Sequence, residues 1–174
     1  MFAGEFPCKL DDKGRFAVPA SLRERFALPD NPEIKRAVLV KSQQERCLWL
    51  FPSLHWYYLL EEKRRHLTDQ ESRLFMHYVV PEVIEAEIDR TSRVLIPRKL
   101  REEAGIEEDV VLVGMYDRLE VWSNTVWLQH LSQLEEEHEL SLGKVLSMPS
   151  IKPTIPGSNA VYEHPGQSGE RRHR

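Results

Sequence analysis

Three basic side chains in this 174-residue chain stand where they could meet an anion: Lys13 and Arg15 in Asp12-Lys13-Gly14-Arg15, and Arg93 in Asp89-Arg90-Thr91-Ser92-Arg93. Gly14 accepts a positive φ, so the backbone can reverse tightly between two strands and hold both cations on a stiff protrusion. Such a pair suits nucleic acid: Lys and Arg meet phosphate oxygens, and Arg can bond a guanine edge through two parallel hydrogen bonds. The same residues also fit an ordinary hairpin turn with solvated charges, in which Arg15 and Arg93 pair with Asp11 and Asp89. The turn by itself leaves both readings open.

The other candidate chemistry is thin. Adjacent carboxylates at Asp11 and Asp12 suggest acid–base work or a metal, but an aspartate beside a turn ordinarily bonds its own backbone. The seven histidines are scattered, and no HxxxH, HExxH, Ser/His/Asp arrangement or glycine-rich phosphate loop occurs. Glu135-Glu136-Glu137-His138 reads as the wet face and end of a helix. No catalytic residue, metal ligand or cofactor-binding residue emerges. The chain is therefore expected not to be an enzyme, with no cofactor and no small-molecule substrate.

The second basic site is a disguised copy of the first. The segment DDKGRFAVPASLRE, Asp11 to Glu24, returns 78 positions later as DRTSRVLIPRKLRE, Asp89 to Glu102. Without a gap, six of the 14 positions are identical, and Phe16/Val94, Ala17/Leu95 and Val18/Ile96 are apolar in both copies. Arg93 repeats Arg15. Thr91 takes the place of Lys13, Arg90 is in register with Asp12, and Ser92 replaces Gly14, which leaves the second turn's backbone open.

The surrounding elements repeat too. Each half starts with alternating residues, Glu5 to Leu10 and Val83 to Ile88, which read as strands. After each turn comes an apolar run ending at Pro19 or Pro97, where a strand hands over to a short helix. Leu22/Phe26 and Leu100/Ala104 give those helices narrow apolar faces at i,i+4. Pro29 is expected to stop the first and Gly105 to cap the second. A hairpin follows in each half: Ala37–Val40 with Cys47–Phe51, and Val110–Gly114 with Leu119–Trp122. Helices then open near Ser53 and Asn124 as N-caps, with Trp56 and Trp127 as anchors. Thr68-Asp69-Gln70-Glu71 reads as a capping box, opening a helix that runs to about Val80. Trp49, Trp56, Tyr57, Tyr58, Trp122 and Trp127 gather around hairpins and helices, as core or as a subunit interface. Residues 143–174 are rich in Pro and Gly and carry no periodicity, the signature of a disordered tail.

Charge argues for a local binding surface. The net charge is −4. Residues 143–174 hold five Lys/Arg against two Asp/Glu, a net +3, so residues 1–142 carry −7. An anion must therefore be met by a few placed cations and not by a general field. Cys8 and Cys47 lack metal-ligand spacing and read as reduced thiols. The sequence has no secretory leader and no apolar run of membrane-spanning length, so a soluble, cytoplasmic protein without a membrane partner is expected.

At these residues the chain resembles the MraZ family. Met1-Phe2-Ala3-Gly4-Glu5, Leu10–Arg15, Pro19 and Cys47–Pro52 are similar to its first half; Asp89–Arg93, Ile96-Pro97 and Leu112-Val113-Gly114 are similar to its second, over about residues 1–130. The resemblance implies an α+β fold with a mainly β core, built of tandem SpoVT-AbrB modules. Their swapped hairpins would form an intrachain pseudo-dimer with flanking helices. The implied organisation is module 1 at 5–53, a helical connector at 54–81, module 2 at 82–125, a C-terminal helix at 126–142 and the tail at 143–174. The resemblance further implies a sequence-specific transcriptional regulator in the cytoplasm and nucleoid. It would bind repeated operators in double-stranded DNA of the division and cell-wall gene cluster, including its own promoter, as a ring-shaped homo-oligomer. Lys13, Arg15 and Arg93 are the DNA contacts it implies. The alternative is an AbrB-type antitoxin-like protein that mainly binds a protein partner.

Overall fold

A computed structural model describes residues 1–137 and Ser147. Residues 138–142 of the expected C-terminal helix, the side chains of the Glu135–His138 cluster and, apart from that serine, the expected tail lie outside the described residues.

The first half runs β1 (Glu5–Lys9), β2 (Arg15–Ala17), α1 (Ala20–Arg23), a 3-10 turn (Glu24–Phe26), β3 (Ala27–Leu28), β4 (Asn31–Lys41) and β5 (Cys47–Pro52). Two helices follow, α2 (Ser53–Arg64) and α3 (Asp69–Tyr78), and a 3-10 turn (Val80–Glu82). The second half is β6 (Ile84–Glu87), β7 (Arg93–Leu95), α4 (Arg98–Ala104), β8 (Asp109–Gly114), β9 (Leu119–Ser123) and α5 (Asn124–Glu137). The chain is thus α+β, with a sheet that is antiparallel throughout.

The alternation that defines β1 and β6 is visible in what they bury: Phe6 and Cys8, and Ile84 and Ala86, pack against the main core while their neighbours face water. Their partners come from the other half. β1 pairs with β8, setting Phe6 opposite Leu112, and β6 pairs with β4, setting Ile84 opposite Leu39. These two registers correspond under the repeat. The large sheet runs β1-β8-β9-β5-β4-β3 with β6 on the other edge of β4, and the short β2 and β7 form a separate two-stranded ladder. In that ladder Phe16 faces its own repeat counterpart Val94, so the halves meet about a local pseudo-twofold.

One core therefore serves both halves. Phe16, Val18, Leu22, Phe26 and Leu39 share it with Val94, Ile96, Leu100 and Leu112. On the outer face α2 is anchored by Trp56 against Val38, Val40 and Phe51, and α5 by Trp127 against Trp122, Val111 and Cys47. Trp49 touches both clusters, and the Arg118 guanidinium lies 4.5 Å over its ring. Arg118 also bonds Glu120 at 2.9 Å, and that carboxylate, 3% exposed, accepts from Trp122 Nε1 at 3.0 Å. A charge this deep persists only because it is paired and hydrogen-bonded.

Several local expectations need correction. The segments around Gly14 and Ser92 are not hairpin turns, since β1 and β2 pair with different partners; each turn carries the chain from the large sheet to the small ladder. The first short helix ends at Arg23, a 3-10 turn carries Phe26 into the core, and β3 is already under way before Pro29. Ser53 does not cap α2: Pro52 precedes the helix without a side-chain hydrogen bond, and Ser53 is its buried first residue. Asn124 is likewise the first residue of α5.

The capping box at α3 is present. Thr68 Oγ1 accepts from Glu71 N at 3.3 Å, and Glu71 Oε2 accepts from Thr68 N at 2.8 Å. Because α3 buries no residue, little tertiary packing compensates for a lost cap. Thr68→Ala is expected to destabilise α3 by about 1 kcal/mol, read as faster amide exchange confined to residues 69–78.

Candidate nucleic-acid interface

Each turn is built by an aspartate of its own. Asp11 Oδ1 accepts from Lys13 N at 3.0 Å and Arg15 N at 2.9 Å, while Gly14 N donates to Asp11 O at 2.9 Å. Asp89 does the same in the second copy: its Oδ1 accepts from Thr91 N and Arg93 N, both at 2.9 Å, and Ser92 N donates to its carbonyl at 2.7 Å. The aspartates are thus backbone organisers of the turns. Gly14 has φ 81° and Ser92 has φ 64°. The second turn keeps the left-handed geometry despite its serine, which settles the point the sequence left open.

Each arginine is steered by the same carboxylate. Arg15 Nε donates to Asp11 Oδ2 at 2.8 Å and Arg93 Nε to Asp89 Oδ2 at 3.2 Å. The β2–β7 ladder, Arg15 opposite Leu95 and Ala17 opposite Arg93, puts the two arginines diagonally on one face, opposite that of Phe16 and Val94. There Arg93 Nη1 also reaches Asp11 Oδ2 at 3.6 Å, so both guanidinium groups converge on Asp11. Neither of the two sequence readings excludes the other at Arg15. Its Nε is paired, its Nη1 and Nη2 have no partner among the described residues, and neither is a buried orphan. Lys13 is exposed and forms no ion pair among the described residues. Of the three predicted site residues, the structure joins Arg15 and Arg93 through Asp11 and leaves Lys13 free on the first turn. Arg90 is exposed on the second turn.

The electrostatics follow from these bonds. The Thr91 hydroxyl, then the Arg93 and Thr91 amides, hold the Asp89 carboxyl down at about 2. Asp11 is lowered mainly by the Arg15 amide, with the Arg15 guanidinium and the Lys13 amide adding to it. A carboxyl whose folded pKa is depressed contributes stability that is present above its unfolded value, about 3.9, and is lost as pH falls through the folded value. The second turn should therefore stay intact at pH 4 and loosen only as pH approaches 2. Following the Asp89 carboxyl by carbon NMR tests this, and a midpoint near 4 would show that the turn is not formed in solution.

Arg101 also belongs to the site, although sequence spacing does not reveal it. This α4 residue sends Nε to Ile96 O at 3.2 Å and lays its guanidinium against Gly14 in the other half. The signal existed, since Arg23 and Arg101 are among the identical repeat positions, but spacing alone did not say that such a residue crosses between halves. Among the described residues no group of three His, Cys, Asp or Glu could hold a metal, and no helix is long and apolar enough to cross a membrane.

Comparison with known proteins agrees with this architecture. A family model described as "MraZ protein, putative antitoxin-like" matches residues 1–77 and 82–142, one segment for each half of the repeat. A Desulfitobacterium hafniense protein named "Transcriptional regulator MraZ" is 36% identical over 140 residues, covering 79% of this chain and 92% of its own length. A protein of the same name from Moorella thermoacetica is 32% identical over 148 residues, with coverage of 84% and 97%. Another from Natranaerobius thermophilus is 36% identical over 141 residues, with 80% and 92%. With both halves of the repeat matched, and relatives aligned over nearly their whole length, the chain belongs to the MraZ family.

Proposed function

We propose that this chain is a transcriptional regulator, not an enzyme, that binds double-stranded DNA through Lys13, Arg15 and Arg93. The observation that carries the reading is the convergence of Arg15 and Arg93 on Asp11 on one face of the β2–β7 ladder, with Lys13, which forms no ion pair among the described residues, on the first turn. The names of its relatives support the regulatory role. The cross-half pairings β1–β8 and β4–β6 support two SpoVT-AbrB modules, 5–53 and 82–125, that form an intrachain swapped-hairpin pseudo-dimer.

A turn with two or three cations binds weakly and is readily screened by salt. A ring of copies presenting such turns to successive operator repeats multiplies those contacts through effective concentration. Large exposed apolar side chains on the helices, Tyr57 and Tyr58 on α2, Leu74, Met76 and Tyr78 on α3, and Leu128 on α5, support such self-association. The targets in this reading are repeats near the division and cell-wall genes, its own promoter included, with the protein in the cytoplasm and nucleoid.

The test is binding of the full chain to its own promoter fragment across a salt series, with the assembly mass measured in parallel. The expected result is a multimer whose affinity falls linearly on a log–log salt plot and drops sharply when the DNA repeats are reduced to one. Absence of DNA binding by an intact multimer would overturn the reading, and capture of a protein partner instead would favour the antitoxin-like alternative.

A further inference from the structure

The two turns share a backbone but not a glycine. Ser92 holds φ 64° where Gly14 holds φ 81°, with the same pattern of aspartate bonds. A side chain is therefore compatible with this conformation, and conformational freedom does not by itself account for glycine at 14. What differs is the space beside the residue.

Arg101 fills that space at the first turn. Its Cζ lies 2.6 Å, its Nε 2.7 Å and its Nη2 3.0 Å from the point a Cβ on residue 14 would occupy. Its Nε donates to Ile96 O at 3.2 Å, and Ile96 N donates to Gly14 O at 3.0 Å. Gly14, Ile96 and Arg101 thus close a small circuit that ties the first-half turn to the second-half strand and helix. The repeat counterparts at the other turn are Ser92, Val18 and Arg23. Val18 N still donates to Ser92 O, at 2.8 Å. The last link is missing: Ser92 brings its own Cβ, and Arg23 Nε is buried without a hydrogen-bond partner among the described residues. The molecule holds both versions of one design, glycine with a seated arginine and serine with an unseated one.

We infer that Arg101 is a positioning residue that latches the Asp12–Arg15 turn of the opposite half, and that the second turn lacks this latch. The latch fixes the geometry in which Lys13 and Arg15 are offered and lowers the ordering cost of binding. Only this consequence for DNA rests on the proposed function; the latch itself is measurable in the free protein.

The test is amide exchange at both turns in the full chain, followed by DNA binding. In Arg101→Ala the Gly14 and Arg15 amides are expected to exchange about tenfold faster, the effect of losing one hydrogen bond from a charged donor, while the Ser92 and Arg93 amides do not change. Gly14→Ser, which copies the second turn, should displace the flexible guanidinium and give the same increase. The double variant should be no worse than either single one, the mark of two residues acting as a unit. Ser92→Gly should seat Arg23 and slow exchange at the second turn.

For DNA, Arg101→Ala should weaken binding to the promoter fragment without changing the salt slope, since no phosphate contact is lost. Arg101→Lys keeps the charge but not the planar Nε–H, and should not rescue. Unchanged exchange in both Arg101→Ala and Gly14→Ser would overturn the latch. So would a reduced salt slope in Arg101→Ala, which would make Arg101 a phosphate contact. If exchange behaves as stated and the wild type binds no DNA, the latch stands and the DNA reading fails.

Discussion

In folded, assembled protein, Arg15→Ala is expected to lose nearly all affinity for promoter DNA and to flatten what salt dependence remains. Arg15 has the only guanidinium on the complete turn, and its two terminal nitrogens have no partner among the described residues. A two-bond contact of arginine to a base is worth about 1–3 kcal/mol, and each lost phosphate contact removes about 0.9 from the log–log salt slope. Because a multivalent assembly repeats the loss in every copy, the total compounds. The fold should survive: Arg93 Nη1 lies 3.6 Å from Asp11 Oδ2, so that carboxylate keeps a cation. Arg93→Ala should cost less, because Thr91 stands where Lys13 does and the second turn's other cation, Arg90, sits one position earlier, in register with Asp12. Binding and salt slope equal to wild type in Arg15→Ala would remove the first turn from the interface.

Phe16→Ala is expected to be the most damaging core substitution, costing about 3–5 kcal/mol. Phe16 is wholly buried, in a strand of only three residues, opposite Val94. Its ring lies where the cores of the two halves become one, so the cavity opens at the join. Cooperative unfolding in urea should shift to a much lower midpoint, and Val94→Ala should shift it less because fewer atoms are removed. A loss below about 1 kcal/mol for Phe16→Ala would mean that the site collapses and refills easily.

The repeat made much of this legible. It fixed two turns, two short helices, two hairpins and two tryptophan-anchored helices, and it singled out Arg15 and Arg93. Strand partners were less readable. A period of two marks Glu5–Lys9 as a strand, but nothing in it names Val110–Val113, a hundred residues away, as the partner. The early part of β4 was hidden because Asn31 and Pro32 are turn-forming types, overridden here by pairing with β3. The geometry at Ser92 was hidden for a related reason. Local rules assign a positive φ to glycine, whereas here the Asp89 carboxylate binds two turn amides and holds the serine in place. The Arg93–Asp11 contact and the Arg101 seat both cross between halves, so no local spacing encodes them.

The β2–β7 ladder has one more consequence. Where two identical chains pair about a twofold, every substitution appears at both edges and the assembly has no front or back. Here Phe16 faces Val94 within a single polypeptide, so a change at Lys13 or Gly14 has no obligatory echo at Thr91 or Ser92. Joining the halves in one chain has released them from symmetry. The result is a molecule with a head and a tail along its own ladder, Lys13 and Gly14 marking one turn and Thr91 and Ser92 the other.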